Sequence, residues 1–129
     1  NENLRFINRQ LGSGIRVRIE LMLRKEGISI DQITGYGDEV YTHLDVAFHI
    51  FSGLADTGIA TESAARQLNL RFTRLFEERF DMVTFKDVYF SENVQSFIEL
   101  VRSEAFSRIL HSMQGYDNRS TGKVIYASK

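Results

Sequence analysis

The stretch Asn8-Arg9-Gln10-Leu11-Gly12-Ser13-Gly14-Ile15-Arg16 joins a short apolar run, Leu4-Arg5-Phe6-Ile7, to a segment with helical periodicity. A Gly-Ser-Gly turn that opens a helix leaves backbone N–H groups with no carbonyl inside the helix to accept them. The helix dipole adds partial positive charge at the same point. Anion binding is the chemistry such a turn offers. Ser13 adds a hydroxyl donor, and Arg9 and Arg16 add full charges. The same residues also have a reading that needs no ligand, in which Gly12 and Gly14 allow a sharp turn and Ser13 caps the helix.

Other chemistry-bearing groups are sparser. His43, His49 and His111 do not form a metal set, because the spacing of the first two places them on different faces of a helix. Ala55-Asp56-Thr57-Gly58 has the form of an aspartic-protease turn, but the chain has no second such turn to complete a dyad. Glu77, Glu78 and Asp81 crowd beside Arg74 and Arg79. Two carboxylates there could do acid–base work; a charged loop with local ion pairs is the alternative.

The elements that must position these groups follow from periodicity. Ile15, Ile19, Met22 and Leu23 share one helix face, and Gly27 stops that helix after Lys25. Gly35 and Gly37 belong to a loop or short strand that ends at Val40-Tyr41. Thr42 is placed as an N-cap with Asp45 three residues on, a short form of the capping box. Leu44, Ala47, Phe48 and Phe51 are expected to give the buried face of that helix, which Gly53 ends. Residues 55–60 read as a short strand entering a turn, and Thr61 or Ser63 starts a helix running through Leu68. Alternation predicts a strand at Leu70–Leu75, and Phe80–Phe85 reads as a further strand. Helices carrying Val94, Phe97, Ile98 and Val101, then Phe106, Ile109, Leu110 and Met113, come next, with a further strand over Lys123–Tyr126. Strands alternating with helices at this spacing imply βαβ units and an α/β sheet.

Composition sets the limits. The 129 residues suit one domain or two small lobes, and an apolar fraction of 43% argues against disorder. Lys and Arg (16) nearly cancel Asp and Glu (17), which excludes a general nucleic-acid binder. The first 25 residues are locally basic, with Arg5, Arg9, Arg16, Arg18, Arg24 and Lys25 against Glu2 and Glu20. That end meets an anion or forms a solvated helix face. It lacks the partner helix of a helix-turn-helix, so no direct nucleic-acid contact is expected. The absence of cysteine excludes disulfides, thiolate metal sites and a cysteine nucleophile. No stretch is apolar enough to span a membrane, and the first residues show no secretory signal.

Taken in order, RFINRQLGSGIR, GYGDEVYTHLDVAFHIFSGLADTGIA, FEERFDMVTF, VQSFIELVRSEAFSRIL and GYDNRSTGKV resemble the periplasmic-binding-protein-like domain of type II topology. The nearest branch is the cytoplasmic one attached to molybdopterin-biosynthesis enzymes or to helix-turn-helix regulators of molybdate metabolism. The resemblance implies an α/β fold of two lobes with a cleft and a hinge. Here it implies one nearly complete lobe plus the returning part of the other. Residues 1–70 would be the second-lobe segment with the Gly-Ser-Gly turn, and 71–129 the hinge and return to the first lobe with C-terminal helices. Such domains usually begin with elements that precede this stretch. A piece of a longer protein, or completion by exchange within a homodimer, are therefore both expected alternatives.

The resemblance also implies the site. Arg9, Gly12, Ser13, Gly14, Thr42 and His43 would face the cleft at strand-to-helix junctions, where α/β sheets tend to place ligands. Amides and the Ser13 and Thr42 hydroxyls suit a tetrahedral oxyanion, and Arg9 would favour a carboxylate or a more highly charged ligand. Asp56 would fix a loop at the hinge or cleft by local hydrogen bonds. The expected role is non-catalytic binding or sensing of a small anion such as molybdate, with no covalently bound cofactor, inside a larger cytoplasmic protein. The attached domain would be catalytic or DNA-binding. The alternatives are an accessory domain of a molybdopterin-biosynthesis enzyme and a dimerisation module with no ligand.

Overall fold

A computed structural model describes residues 4–126. They form two compact units, one up to Thr73 and one from Arg74. The first is mixed α/β. Strand β1 (Phe6–Arg9) leads to helix α1 (Gly14–Lys25), a 3-10 turn at Ile30–Gln32 and strand β2 (Glu39–Val40). Helix α2 (His43–Phe51), strand β3 (Thr57–Gly58) and helix α3 (Glu62–Gln67) follow. The strands pair in the order β2-β1-β3, all parallel, with Asn8 beside Glu39, Arg9 beside Val40, Phe6 beside Thr57 and Ile7 beside Gly58.

Alternation along β1 decides what each face of the sheet meets. Ile7 points to the side where Val40, the fully buried Val46 of α2, and Ala55 form the core, with Ile50 and Ala60 packed against it. Phe6 and Asn8 serve the other side. Phe6 stacks on Tyr36 with ring centroids 6.1 Å apart, and Asn8 Nδ2 donates to the Tyr36 carbonyl at 3.2 Å. Tyr36 in turn meets Arg16 and Glu20 of α1. Helices α1 and α2 therefore cover opposite faces, as parallel strands with both faces buried require.

The helix boundaries follow their caps. The Ser13 hydroxyl accepts from the Arg16 N–H at 3.2 Å. Thr42 and Asp45 complete a full capping box, each side chain accepting from the other's backbone N–H at 3.0 Å. Thr61, rather than Ser63, caps α3. The buried face of α2 differs from expectation. Val46 and Ala47 are buried, whereas Leu44, Phe48 and Phe51 lie on the outer side.

The second unit holds helices α4 (Lys86–Tyr89), α5 (Glu92–Arg102) and α6 (Glu104–Ser112). Ser103 ends α5 and caps α6, its hydroxyl accepting from the Phe106 N–H at 3.2 Å. The strands expected at Leu70–Leu75, Phe80–Phe85 and Lys123–Tyr126 do not form. Phe80, Val83 and Phe85 are more than four-fifths exposed at 81%, 93% and 84%. Apolar alternation reports a wish to pack on a pleated surface, and strand formation also needs a neighbour to pair with. No such neighbour pairs with these segments among the described residues.

Candidate functional site

Because the three strands are parallel, their C-terminal ends share one edge of the sheet. The turn Gln10–Gly14 follows β1 there, and Tyr41-Thr42-His43 follows β2. Helices α1 and α2 thus both begin at that edge, from opposite faces of the sheet, with the first N–H groups of each unused inside the helix.

Each candidate takes a distinct place. Gly12 sits at φ +85°, a conformation that favours glycine, and sets the turn. Gly14 does not: it is the first residue of α1, and a Cβ there would meet open space. The N–H groups of Gly12 and Gly14 reach no carbonyl among the described residues. Ser13 and Thr42 are both caps. A cap uses a hydroxyl lone pair, which leaves the O–H itself free to donate. The capping and ligand readings of these two residues are therefore compatible.

Arg9 spans the edge. Its Nη2 donates to the Tyr41 carbonyl at 2.7 Å and its Nε to Gln10 Oε1 at 3.3 Å. No carboxylate pairs with it among the described residues, so its charge is uncompensated. His43 lies within its field. The His43 ring is half-buried, and its Nδ1 is out of contact with solvent without a hydrogen-bond partner. Burial, and next the charge of Arg9, hold its pKa below the ordinary histidine value. The neutral ring is therefore favoured. This contribution to stability is present above the ordinary histidine pKa and is lost as the pH falls through the lowered one.

Arg16 is neither an anion ligand nor part of a solvated face. It is 8% exposed. Its Nη1 donates to Glu39 Oε2 at 2.6 Å and to the Arg9 carbonyl at 3.2 Å, and its Nε to Glu20 Oε1 at 3.2 Å. Burial alone would lower its pKa, but the bonds to Glu20 and Glu39 outweigh that and raise it. The guanidinium also lies over the Tyr36 ring, 5.4 Å from its centroid. Arg16 thus ties the end of β1 to β2 from inside. Glu20, one helical turn on, would pair as well on a solvated face, and Glu39 carried no local signal. Arg16→Met is expected to lower the stability of this unit by about 1–2 kcal/mol, measured by urea unfolding. A full buried-pair loss of about 3–5 kcal/mol is not expected, because Glu20 and Glu39 are partly exposed and rehydrate.

Asp56 stands at the opposite end of the sheet, just before β3. It accepts from the Arg5 backbone N–H at 2.8 Å and pairs with Arg5 Nε at 3.4 Å. Its bonds are thus long-range rather than local, and they fasten the start of β3 to the start of β1. The acidic group near residue 80 resolves into exposed local pairs, Arg74 with Glu77 at 3.2 Å and Arg79 with Asp81 at 2.9 Å. Among the described residues no cluster of His, Asp and Glu could hold a metal, and no helix is long and apolar enough to cross a membrane.

Residues 1–102 match the PBP superfamily domain. The chain is 35% identical over 123 residues to the uncharacterized protein YvgK of Bacillus subtilis (strain 168), covering 95% of this chain and 39% of that one. It therefore spans well under half the length of that relative. It is also 32% identical over 104 residues to the uncharacterized protein in the ferredoxin 2Fe-2S gene 5'region of Clostridium pasteurianum, covering 80% of this chain and 92% of that one. No solved structure matches it significantly. The chain belongs to the PBP superfamily.

Proposed function

We propose that this chain binds a small oxyanion, with molybdate the leading candidate, at the edge where β1 and β2 run into α1 and α2. The role is binding or sensing without turnover, in a type II two-lobed domain of a larger cytoplasmic protein whose attached domain reads the bound state. The observation that carries this reading is Arg9, an uncompensated cation anchored on the Tyr41 carbonyl. Its field reaches His43, whose buried Nδ1 lacks a partner. A positive group without a counter-ion, flanked by two helix starts and two free O–H donors, matches the needs of an anion. Gly12, Ser13 and Gly14 would supply the first set of donors, and Thr42 with His43 the second.

The test is a thermal-shift series of the protein with molybdate, tungstate, sulfate, phosphate and small carboxylates, repeated on Ser13→Ala. A ligand at a hundredfold excess over its Kd adds about 2.7 kcal/mol of apparent stability. A molybdate- or tungstate-selective shift that shrinks in Ser13→Ala is expected. Stabilisation by none of these anions overturns the reading.

A further inference from the structure

We infer that residues 80–85 are an interface between two copies of this chain, each copy's segment lying antiparallel to the other's across a two-fold axis. The interface is independent of the anion site proposed above.

The second unit is short of burial. Ile98 is its one buried side chain among the described residues. So little burial does not offset the entropy of ordering a unit of this size. The deficit is greatest at one segment. Phe80, Val83 and Phe85 are almost wholly exposed, and Val83, Thr84, Phe85 and Val88 line an open cavity of about 250 Å³. The backbone there is as unused as the side chains. From Glu77 to Thr84 neither an N–H nor a carbonyl takes part in a backbone hydrogen bond among the described residues. An apolar run with open donors and acceptors is built to take a strand alongside it.

Charge selects the occupant and its direction. The run is flanked by Arg79 and Asp81 at its start and by Lys86 and Asp87 at its end. Two copies in parallel register would set like against like at every one of these positions, which is destabilising. The antiparallel arrangement sets Asp81 against the partner's Lys86, and Lys86 against the partner's Asp81. Between these ion pairs Met82 lies opposite the partner's Phe85, and Val83 opposite the partner's Thr84. Lys86 has no carboxylate partner in its own chain among the described residues, so it is open to this contact. The contact is isologous and closes at two copies. The Clostridium relative also favours cover from another chain. It is matched over 92% of its length, and a match of 104 residues to this chain takes in 80–88. Little of that protein is left over to cover the segment from within.

Analytical ultracentrifugation of the protein from about 1 to about 100 μM is the test, since assembly follows concentration. A monomer–dimer equilibrium is expected. Val83→Asp should raise its dissociation constant by about a hundredfold, because two carboxylates would meet near the axis. Val83 is exposed within its own chain, so the circular dichroism of the variant should match wild type. Asp81→Lys should weaken the dimer, and Asp81→Lys combined with Lys86→Asp should restore it. A wild type that stays monomeric, or one that grows beyond two copies, overturns the interface. So does a dimer that Val83→Asp leaves intact, or one that the double charge reversal fails to restore. If Val83→Asp does not fold, Val83→Cys decides, because the chain has no cysteine of its own. Oxidation should then cross-link Val83→Cys to a dimer faster than Lys25→Cys on the first unit, and equal rates overturn the interface.

Discussion

Gly58→Ala is expected to destabilise the sheet unit by about 3 kcal/mol, at the upper end of what overpacking a core costs. The reason is the space around β3. A Cβ at Gly58 would lie 2.7 Å from Val46 Cγ1, 2.8 Å from Ile7 Cγ2 and 2.9 Å from the Ile7 carbonyl oxygen. Neither side chain has room to retreat, because Val46 and Ile7 are both in the buried core. The carbonyl belongs to the central strand beside which Gly58 is registered. Relief then requires β3 to move off β1 or α2 to lift from the sheet, and close-packed interiors resist both. Against a total of about 5–15 kcal/mol for a typical domain, such a loss is visible in any equilibrium urea titration. Gly14→Ala is the control, since its new methyl enters open space at the first turn of a helix. It should leave stability within about 0.5 kcal/mol of wild type. A Gly58→Ala protein as stable as that control would mean that β3 does not sit against Ile7 and Val46 as described.

How much of this was legible in the sequence divides along contact range. Ser13, Thr42 with Asp45, and Thr61 announce helix starts because a cap involves residues three apart, and all three caps form. The βαβ order was legible for the same reason, since β1, α1, β2 and α2 are each written in their own local pattern. Arg16 was not legible. Its decisive partner, Glu39, is 23 residues away, and nothing local distinguishes an inward arginine from one on a solvated helix face. Asp56 shows the same limit, with its partner Arg5 51 residues back. The outer face of α2 misled for another reason. With Asp45 its one acidic or basic residue apart from histidine, the helix is apolar nearly all round, so periodicity could not say which side meets the sheet. Residues 70–75 and 80–85 mark the boundary of pattern reading. The first alternates and both are rich in apolar residues, but a strand is a property of a pair.

Of the site, sequence supplied the donors but not the charge state that decides their use. Arg9 and Arg16 look equivalent as residues flanking the Gly-Ser-Gly turn, yet one is neutralised inside the fold and the other is not. That difference leads to the second large expected effect. Arg9→Met should weaken anion binding about tenfold to a hundredfold, the loss of one charge-assisted contact of about 1.5–3 kcal/mol. Methionine keeps much of the side-chain length and apolar stem, so the change isolates the guanidinium. Arg9→Lys should fall between the two. A lysine keeps the charge but cannot hold the Tyr41 carbonyl and fork onto an oxyanion in one plane. A readout independent of the ligand comes from His43. Removing Arg9 removes one of the two influences that hold the His43 pKa down, and burial remains. The NMR titration of His43 in ligand-free Arg9→Met should therefore move up towards the ordinary histidine value without reaching it. If anion affinity is unchanged in Arg9→Met while the His43 titration moves, Arg9 is a strap between β1 and Tyr41, and the anion is held by amides and hydroxyls alone. If affinity falls and the titration moves as well, the uncompensated charge at the end of β1 is what the anion answers.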